Sequence, residues 1–267
     1  MGRPQLDGRR RSGLEEITFD KAATKRWADF SGDYNPIHFE LEKARLVGAD
    51  HLITHGMLVI LHACKFVDEF IENDIADNSN WTLYKSLMSR PVPQDVTVNL
   101  SCARKTGSLR ITAEDGEEIC FKANVKRIPA WTMQPVPGKR IELLSDRCES
   151  FFEIFPNNKK WWHALNAVVF ADFISNRSDV IREIIEAKVG YGLADPSLII
   201  VHISHSVSFD SRFLSGLPTT ESKACSYEMN LTDLLEKDGN ILCTIQFNVF
   251  WDEDVVMTIE MGLMIKI

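Results

Sequence analysis

Ser31-Gly32-Asp33-Tyr34-Asn35-Pro36-Ile37-His38 puts a carboxylate and an imidazole on either side of an Asn-Pro step. Ile53-Thr54-His55-Gly56-Met57-Leu58 follows, with a glycine where an apolar helical pattern begins. Two groups of different basicity that converge on one water can move a proton. Helix-start N–H groups lack internal partners and can hold a developing oxyanion, and glycine lets a substrate approach them. In a helix, Asp33 and His38 would point about 140° apart at the 3.6-residue period. Pro36 biases Asn35 away from helical backbone, so a bent loop can instead turn both side chains to one point. Taken alone, an Asp and a His in a loop more often cap a turn and satisfy loop carbonyls.

The surrounding elements must position this pair. Leu14 to Phe19 reads as a short strand, and Asp20 to Phe30 has helical spacing at Ala22, Ala23, Trp27 and Phe30. Thr18 or Asp20 can cap that helix, and Ser31-Gly32-Asp33 ends it. His55 to Glu72 is a broad-faced apolar helix, wide enough to be central and buried. Strand candidates follow at Thr82 to Pro91, Val96 to Ala103, Leu109 to Ala113 and Glu117 to Ile128.

The order then repeats after a proline-rich stretch, Pro129 to Lys139. Ser150 to Phe155 reads as a short strand and Lys159 to Ala187 as a helix, with Trp162, Leu165, Val169, Phe173, Ile181, Ile184 and Ile185 toward the core. Strands are predicted at Leu198 to Phe209, Lys223 to Asn230, Asn240 to Trp251 and Val255 to Ile267. The alternative is a generic α+β chain whose halves match by chance.

S-G-D-x-N-P-x-H followed by I-T-H-G-M-L resembles the signature of the MaoC-like, or (R)-specific enoyl-thioester hydratase, family of hot-dog proteins. The resemblance runs from Leu14 to about Leu61, fades to pattern through Ile128, and does not reach the second half. With the repeat, it implies an α+β tandem hot-dog of two antiparallel sheets, each wrapped around a long central helix. The divisions are a disordered tail at 1–13, a MaoC-like domain at 14–128, a linker at 129–148 and a degenerate second hot-dog at 149–267.

The resemblance also implies roles. Asp33 and His38 would activate the water that adds to a trans-2-enoyl thioester, giving a (3R)-hydroxyacyl thioester, or run the reverse dehydration. The N–H of Gly56 would hold the thioester carbonyl. Asn35 and His55 would position the loop. Met57, Trp162, Leu165 and Val169 would line the acyl pocket, with the second half supplying a wall and no chemistry. Val59, Ile60 and Leu61 stand where family members often carry a serine, which leaves the acyl group open. The rivals are a hot-dog thioesterase or other acyl-thioester enzyme of secondary metabolism, and a catalytically silent acyl-binding partner.

Other features point to core or rim. His51 and His55 have helical spacing but no further metal ligands. His202 and His205 fall in a predicted strand, where alternation puts them on opposite faces. Trp161 and Trp162 read as core, with His163 at the rim; His163 with Asp172 is the weaker alternative of a second site. Gly190 and Gly192 fit a helix stop better than a nucleotide loop.

The bulk numbers narrow the class. The chain has 267 residues, 45% hydrophobic, enough for two domains of ordinary size. A net charge of −8 argues against a nucleic-acid partner. The six cysteines form no C-x-x-C pair and read as reduced thiols of a cytoplasmic protein, Cys64, Cys120, Cys225 and Cys243 in apolar runs. No apolar run reaches the length of a membrane span, and the N-terminus lacks the apolar stretch of a secretory signal. No metal or cofactor is expected beyond the CoA or phosphopantetheine that carries the substrate. An acyl carrier protein is a candidate partner, and the chain would be a monomeric pseudo-dimer or a homodimer.

Overall fold

The computed structural model describes residues 14–73, 81–113, 116–129, 140–143, 145–176, 183, 186, 199–211 and 225–266. The N-terminal tail, most of the proline-rich stretch, Ile181, Ile184, Ile185, Gly190 and Gly192 lie outside them.

The first half runs β1 (Leu14–Thr18), α1 (Lys21–Ser31), a single 3-10 turn (Pro36–His38), α2 (Leu41–Leu46), α3 (Gly56–Asn73), β2 (Trp81–Met88), β3 (Thr97–Ala103), β4 (Ser108–Thr112) and β5 (Ile119–Ile128). Asp20 caps α1 by accepting the Ala23 N–H at 2.6 Å. The start of α3 is buried all round: Met57, Leu58, Val59, Ile60 and Leu61 are successive and all enclosed. Its charged residues begin only at Lys65, as the apolar pattern predicts.

The second half runs β6 (Ile141–Leu143), α4 (Ser145–Ile154), α5 (Trp161–Asn176), β7 (Ile199–Asp210), β8 (Cys225–Lys237), β9 (Asn240–Trp251) and β10 (Asp254–Lys266). Two expectations are corrected here. Ser150 to Phe155 is the end of a helix and the residue after it, not a strand. Cys148, Phe151 and Phe155 are buried at three- and four-residue intervals, and that helical spacing outweighs the β propensity of the Phe pair. The opening strand is Ile141–Leu143, inside the range expected to be linker, paired to Tyr227–Cys225. α5 is buried on nearly every side, from Trp162 through Ala171 and again at Phe173, His163 and Asn166 included, as a helix in the centre of a core is.

The described residues form one ten-stranded antiparallel sheet, in the order β1-β3-β4-β5-β2-β7-β10-β9-β8-β6. The pattern predicts two sheets. They merge because β2 and β7, the strand after each central helix, pair from Trp81↔Asp210 to Leu87↔Ser204. That pairing satisfies two edges that would otherwise be open. Numbered within its own half and read from its outer edge, each half has the succession first-third-fourth-fifth-second strand. α3 and α5 touch each other, and their side chains belong to a single core cluster.

The halves differ at one place that matters. Residues 32–55 connect α1 to α3, whereas only Phe155 to Lys160 connect α4 to α5. The longer segment has its own small core, Ile37, Ala44, Ala49 and Ile53, packed on Ile199 of β7. The shorter one is pinned by Asn158, whose side-chain N–H donates to Leu61 O at 2.8 Å.

Candidate active site

Gly32 ends α1 in the left-handed conformation, φ 74°, and its N–H donates to Ala28 O. A Cβ there would stand 2.5 Å from Ser175 Oγ, so only glycine allows the turn against α5. Asp33 N–H donates to Ser31 Oγ at 3.1 Å, and Asp33 Oδ1 accepts the Asn35 N–H at 3.4 Å. Asn35 reaches across to the second half and donates from Nδ2 to Ile200 O at 2.5 Å. Pro36 then starts the 3-10 turn that carries His38.

These devices bring Asp33, His38 and His55 together, with a side-chain ligand atom of each within 4.8 Å of the others. His38 Nδ1 lies 2.7 Å from Ile53 O. A carbonyl only accepts, so Nδ1 carries the hydrogen and Nε2 keeps its lone pair. His55 Nε2 lies 2.9 Å from Asp33 O and 3.9 Å from Asp33 Oδ2, so it is likewise the protonated nitrogen. The His38 and His55 rings stack with centroids 3.6 Å apart.

Burial pushes the His38 imidazole below its ordinary pKa, against the opposing pull of the Asp33 carboxylate and the Ile53 carbonyl. His55 is pushed down to about 4, first by burial and then by His38. Both rings are therefore neutral near pH 7. The trio has the donor types of a metal site. Rings stacked 3.6 Å apart and 29° from parallel, however, hold their lone pairs in separate planes that do not meet at a point about 2 Å from each nitrogen. The arrangement suits proton transfer.

A cavity of about 570 Å³ opens beside the trio. Asp33, Asn35, His38 and Gly56 line it from the first half; Phe170, Ile174, His202 and Leu263 line it from the second. Gly56 is the first residue of α3. The site is thus a carboxylate, a neutral imidazole and a helix start around one chamber at the junction of the halves.

Residues 6–116 match the family model of the MaoC like domain. This part of the chain is a MaoC-like domain. A 45-residue stretch is 42% identical to the mitochondrial 3-hydroxyacyl-[acyl-carrier-protein] dehydratase of Arabidopsis thaliana, covering 17% of this chain and 27% of that protein. The match thus spans about a quarter of that relative. Among solved structures, a MaoC domain protein dehydratase from Chloroflexus aurantiacus is similar over 97% of this chain and 96% of its own, with TM-score 0.52 and 9% identity. A structure named MaoC-like dehydratase is similar over 95% and 98%, with TM-score 0.48 and 8% identity. The Chloroflexus likeness supports a hot-dog-like fold of the MaoC dehydratase kind.

Of the expected polar site residues in the MaoC-like domain, Asp33, Asn35, His38 and Gly56 line the chamber, and His55 is stacked on His38. The residues expected to line the acyl pocket lie elsewhere than the chamber. Met57, Trp162, Leu165 and Val169 are not among the cavity-lining residues but are buried in the core. Trp162 stacks on Phe209 at 4.5 Å and donates from Nε1 to Asp68 at 3.0 Å. The face of α5 that reaches the chamber lies further along the helix, at Phe170 and Ile174, and from α3 it is Val59. His163 is buried, not at a rim, and lies 3.2 Å from Asp68 Oδ2. Asp172 instead meets Tyr227 and Arg147.

Two residues near the trio were not expected there. Gln94, after β2, donates from Nε2 to His38 O at 2.9 Å and to Ile53 O at 2.8 Å. It fixes the carbonyl that sets the His38 tautomer. His202 lines the chamber, and its ring lies 5.2 Å from that of His205. Strict alternation puts these two on opposite faces. The register between β7 and β10 shifts at Gly262/Leu263, leaving Ile203 unpaired, and this bulge brings both rings to one side. Gly262 is the trace it leaves in the sequence: a Cβ there would meet Ser204 Oγ.

Proposed function

We propose that the chain is a hydro-lyase that interconverts trans-2-enoyl and (3R)-hydroxyacyl thioesters on CoA or an acyl carrier protein. The observation that carries the reading is the convergence of Asp33, neutral His38 and the start of α3 on one chamber within a MaoC-like domain. The dehydratase named among the relatives supports the reaction class, and the stereochemistry follows from the family resemblance.

In the hydration direction, Asp33 and the lone pair of His38 Nε2 hold a water. It adds through oxygen to the β-carbon, and electron density moves onto the thioester oxygen. The Gly56 N–H, at the positive end of α3, stabilises that oxygen. The proton released from the water returns through the same pair to the α-carbon. Dehydration reverses each step. His55 and Gln94 hold the backbone of the pair, and Asn35 ties the loop to β7.

The same reading makes the two halves a tandem of hot-dog units, on the strength of their shared strand succession and the β2–β7 seam. The short Phe155 to Lys160 connector leaves no counterpart of the segment that carries Asp33 and His38. Among the described residues, no helix is long and apolar enough to cross a membrane.

The deciding experiment incubates the full chain with crotonyl-CoA and follows enoyl absorbance alongside free thiol. Loss of absorbance without thiol release supports hydration. Thiol release without hydration makes the chain a thioesterase, and neither change leaves only a binding role.

A further inference from the structure

His202 is a polar group that the second half places beside the proposed carbonyl site. Its Nδ1 lies 3.0 Å from where a Cβ on Gly56 would be. Its Nε2 lies 3.0 Å from Ser204 O, so Nε2 is the donor and Nδ1 bears a lone pair. That nitrogen is closed off from solvent and has no hydrogen-bond partner among the described residues. Burial pushes the ring down to about 4, and it stays neutral near pH 7. Phe170 stacks beside it at 5.8 Å, holding the ring in place. A buried acceptor without a donor is costly, and it sits in the wall of a chamber built for a ligand.

The bulge in β7 makes this placement possible. Without the extra residue at Ile203, His202 would face away from His205 and the helices. Met88 touches the same side of Gly56 and leads through Ser89 to Arg90, whose side chain is 59% exposed at the rim. His202, Met88 and Arg90 thus line the chamber together with Gly56, beside the place a thioester held at Gly56 would occupy.

We propose that His202 binds the arm of that thioester: Nδ1 accepts a hydrogen bond from the amide N–H nearest the sulfur. This rests on the hydratase reading, which puts the thioester carbonyl at Gly56 and the β-oxygen at Asp33 and His38. With those positions taken, the first donor on any pantetheine thioester is the amide two methylenes beyond sulfur. The second half then contributes a binding group as well as a wall.

The test compares two crotonyl thioesters, one of N-acetylcysteamine and one of O-acetyl-2-mercaptoethanol, which replaces that N–H by oxygen. The wild type should favour the amide about tenfold in kcat/KM, the effect of leaving one buried acceptor unpaired. His202→Leu should bring the ratio near one, and His202→Gln, which keeps an acceptor, should restore part of it. A purely structural role would lower both substrates together. A wild-type ratio near one, or an unchanged ratio in folded His202→Leu, overturns the proposal. If the wild type converts neither of these thioesters nor crotonyl-CoA, the hydratase reading falls. Calorimetry with the saturated butyryl pair then still decides: tighter binding of the amide supports His202, and equal binding overturns it.

Discussion

The imidazoles of His38 and His55 lie face to face, 3.6 Å between centroids and 29° between planes. A charge on one ring opposes a charge on the other. With burial acting in the same direction, the pair is held neutral and His38 is left ready to take a proton.

Asp33→Asn and His38→Gln should each lower kcat by about 10² to 10⁴, the usual contribution of a positioned acid or base. Circular dichroism and urea midpoint should change little, because neither change opens an apolar core. Near-normal turnover in either folded variant removes that residue from the mechanism.

Acid should weaken the fold through His55. Its folded pKa, about 4, lies below the ordinary 6.5, so between those values the unfolded chain binds more protons. Stability is then full above about pH 6.5 and falls as pH drops toward 4, by up to about 3 kcal/mol from this one ring. Urea midpoints across that window should slope less steeply in His55→Gln. Equal slopes would contradict the buried neutral ring.

Two left-handed glycines make a controlled pair. At Gly32, φ is 74° and an added Cβ would stand 2.5 Å from Ser175 Oγ; at Gly48, φ is 81° and the same atom would meet open space. Gly48→Ala should cost about 1–2 kcal/mol, the left-handed penalty alone. Gly32→Ala should cost more and also lower kcat, because Asp33 follows directly. Urea denaturation and turnover of the two variants check both statements.

Chain-length preference should respond to Phe170 and Ile174, which line the chamber. Phe170→Ala should raise kcat/KM for dodecenoyl-CoA relative to crotonyl-CoA. Val169→Ala, one position away but in the core, should lower stability and leave that ratio unchanged.

The sequence carried the loop that brings Asp33 and His38 together, and its anchors, because those depend on local chemistry: Pro36 bending the chain, Gly32 ending α1, Gly56 starting α3. It also carried the repeat, through hydrophobic period. Three things were not legible. The β2–β7 seam is a tertiary choice between two open edges. Which residues of α5 line the chamber depends on how far the helix is rotated, and a helix buried on nearly every side does not say in its sequence whether Trp162 or Phe170 faces it. His202 depends on a bulge, and one extra residue in a strand inverts every side chain before it.

The central claim is that Asp33 and His38 act together on a water at an enoyl thioester. The most direct measurement is the rate of enoyl absorbance loss with crotonyl-CoA for wild type, each single variant and Asp33→Asn/His38→Gln. The wild type should hydrate, and the double variant should be no slower than the slower single variant within a few fold, because the pair works as a unit. Hydration that persists in the folded double variant would contradict the claim.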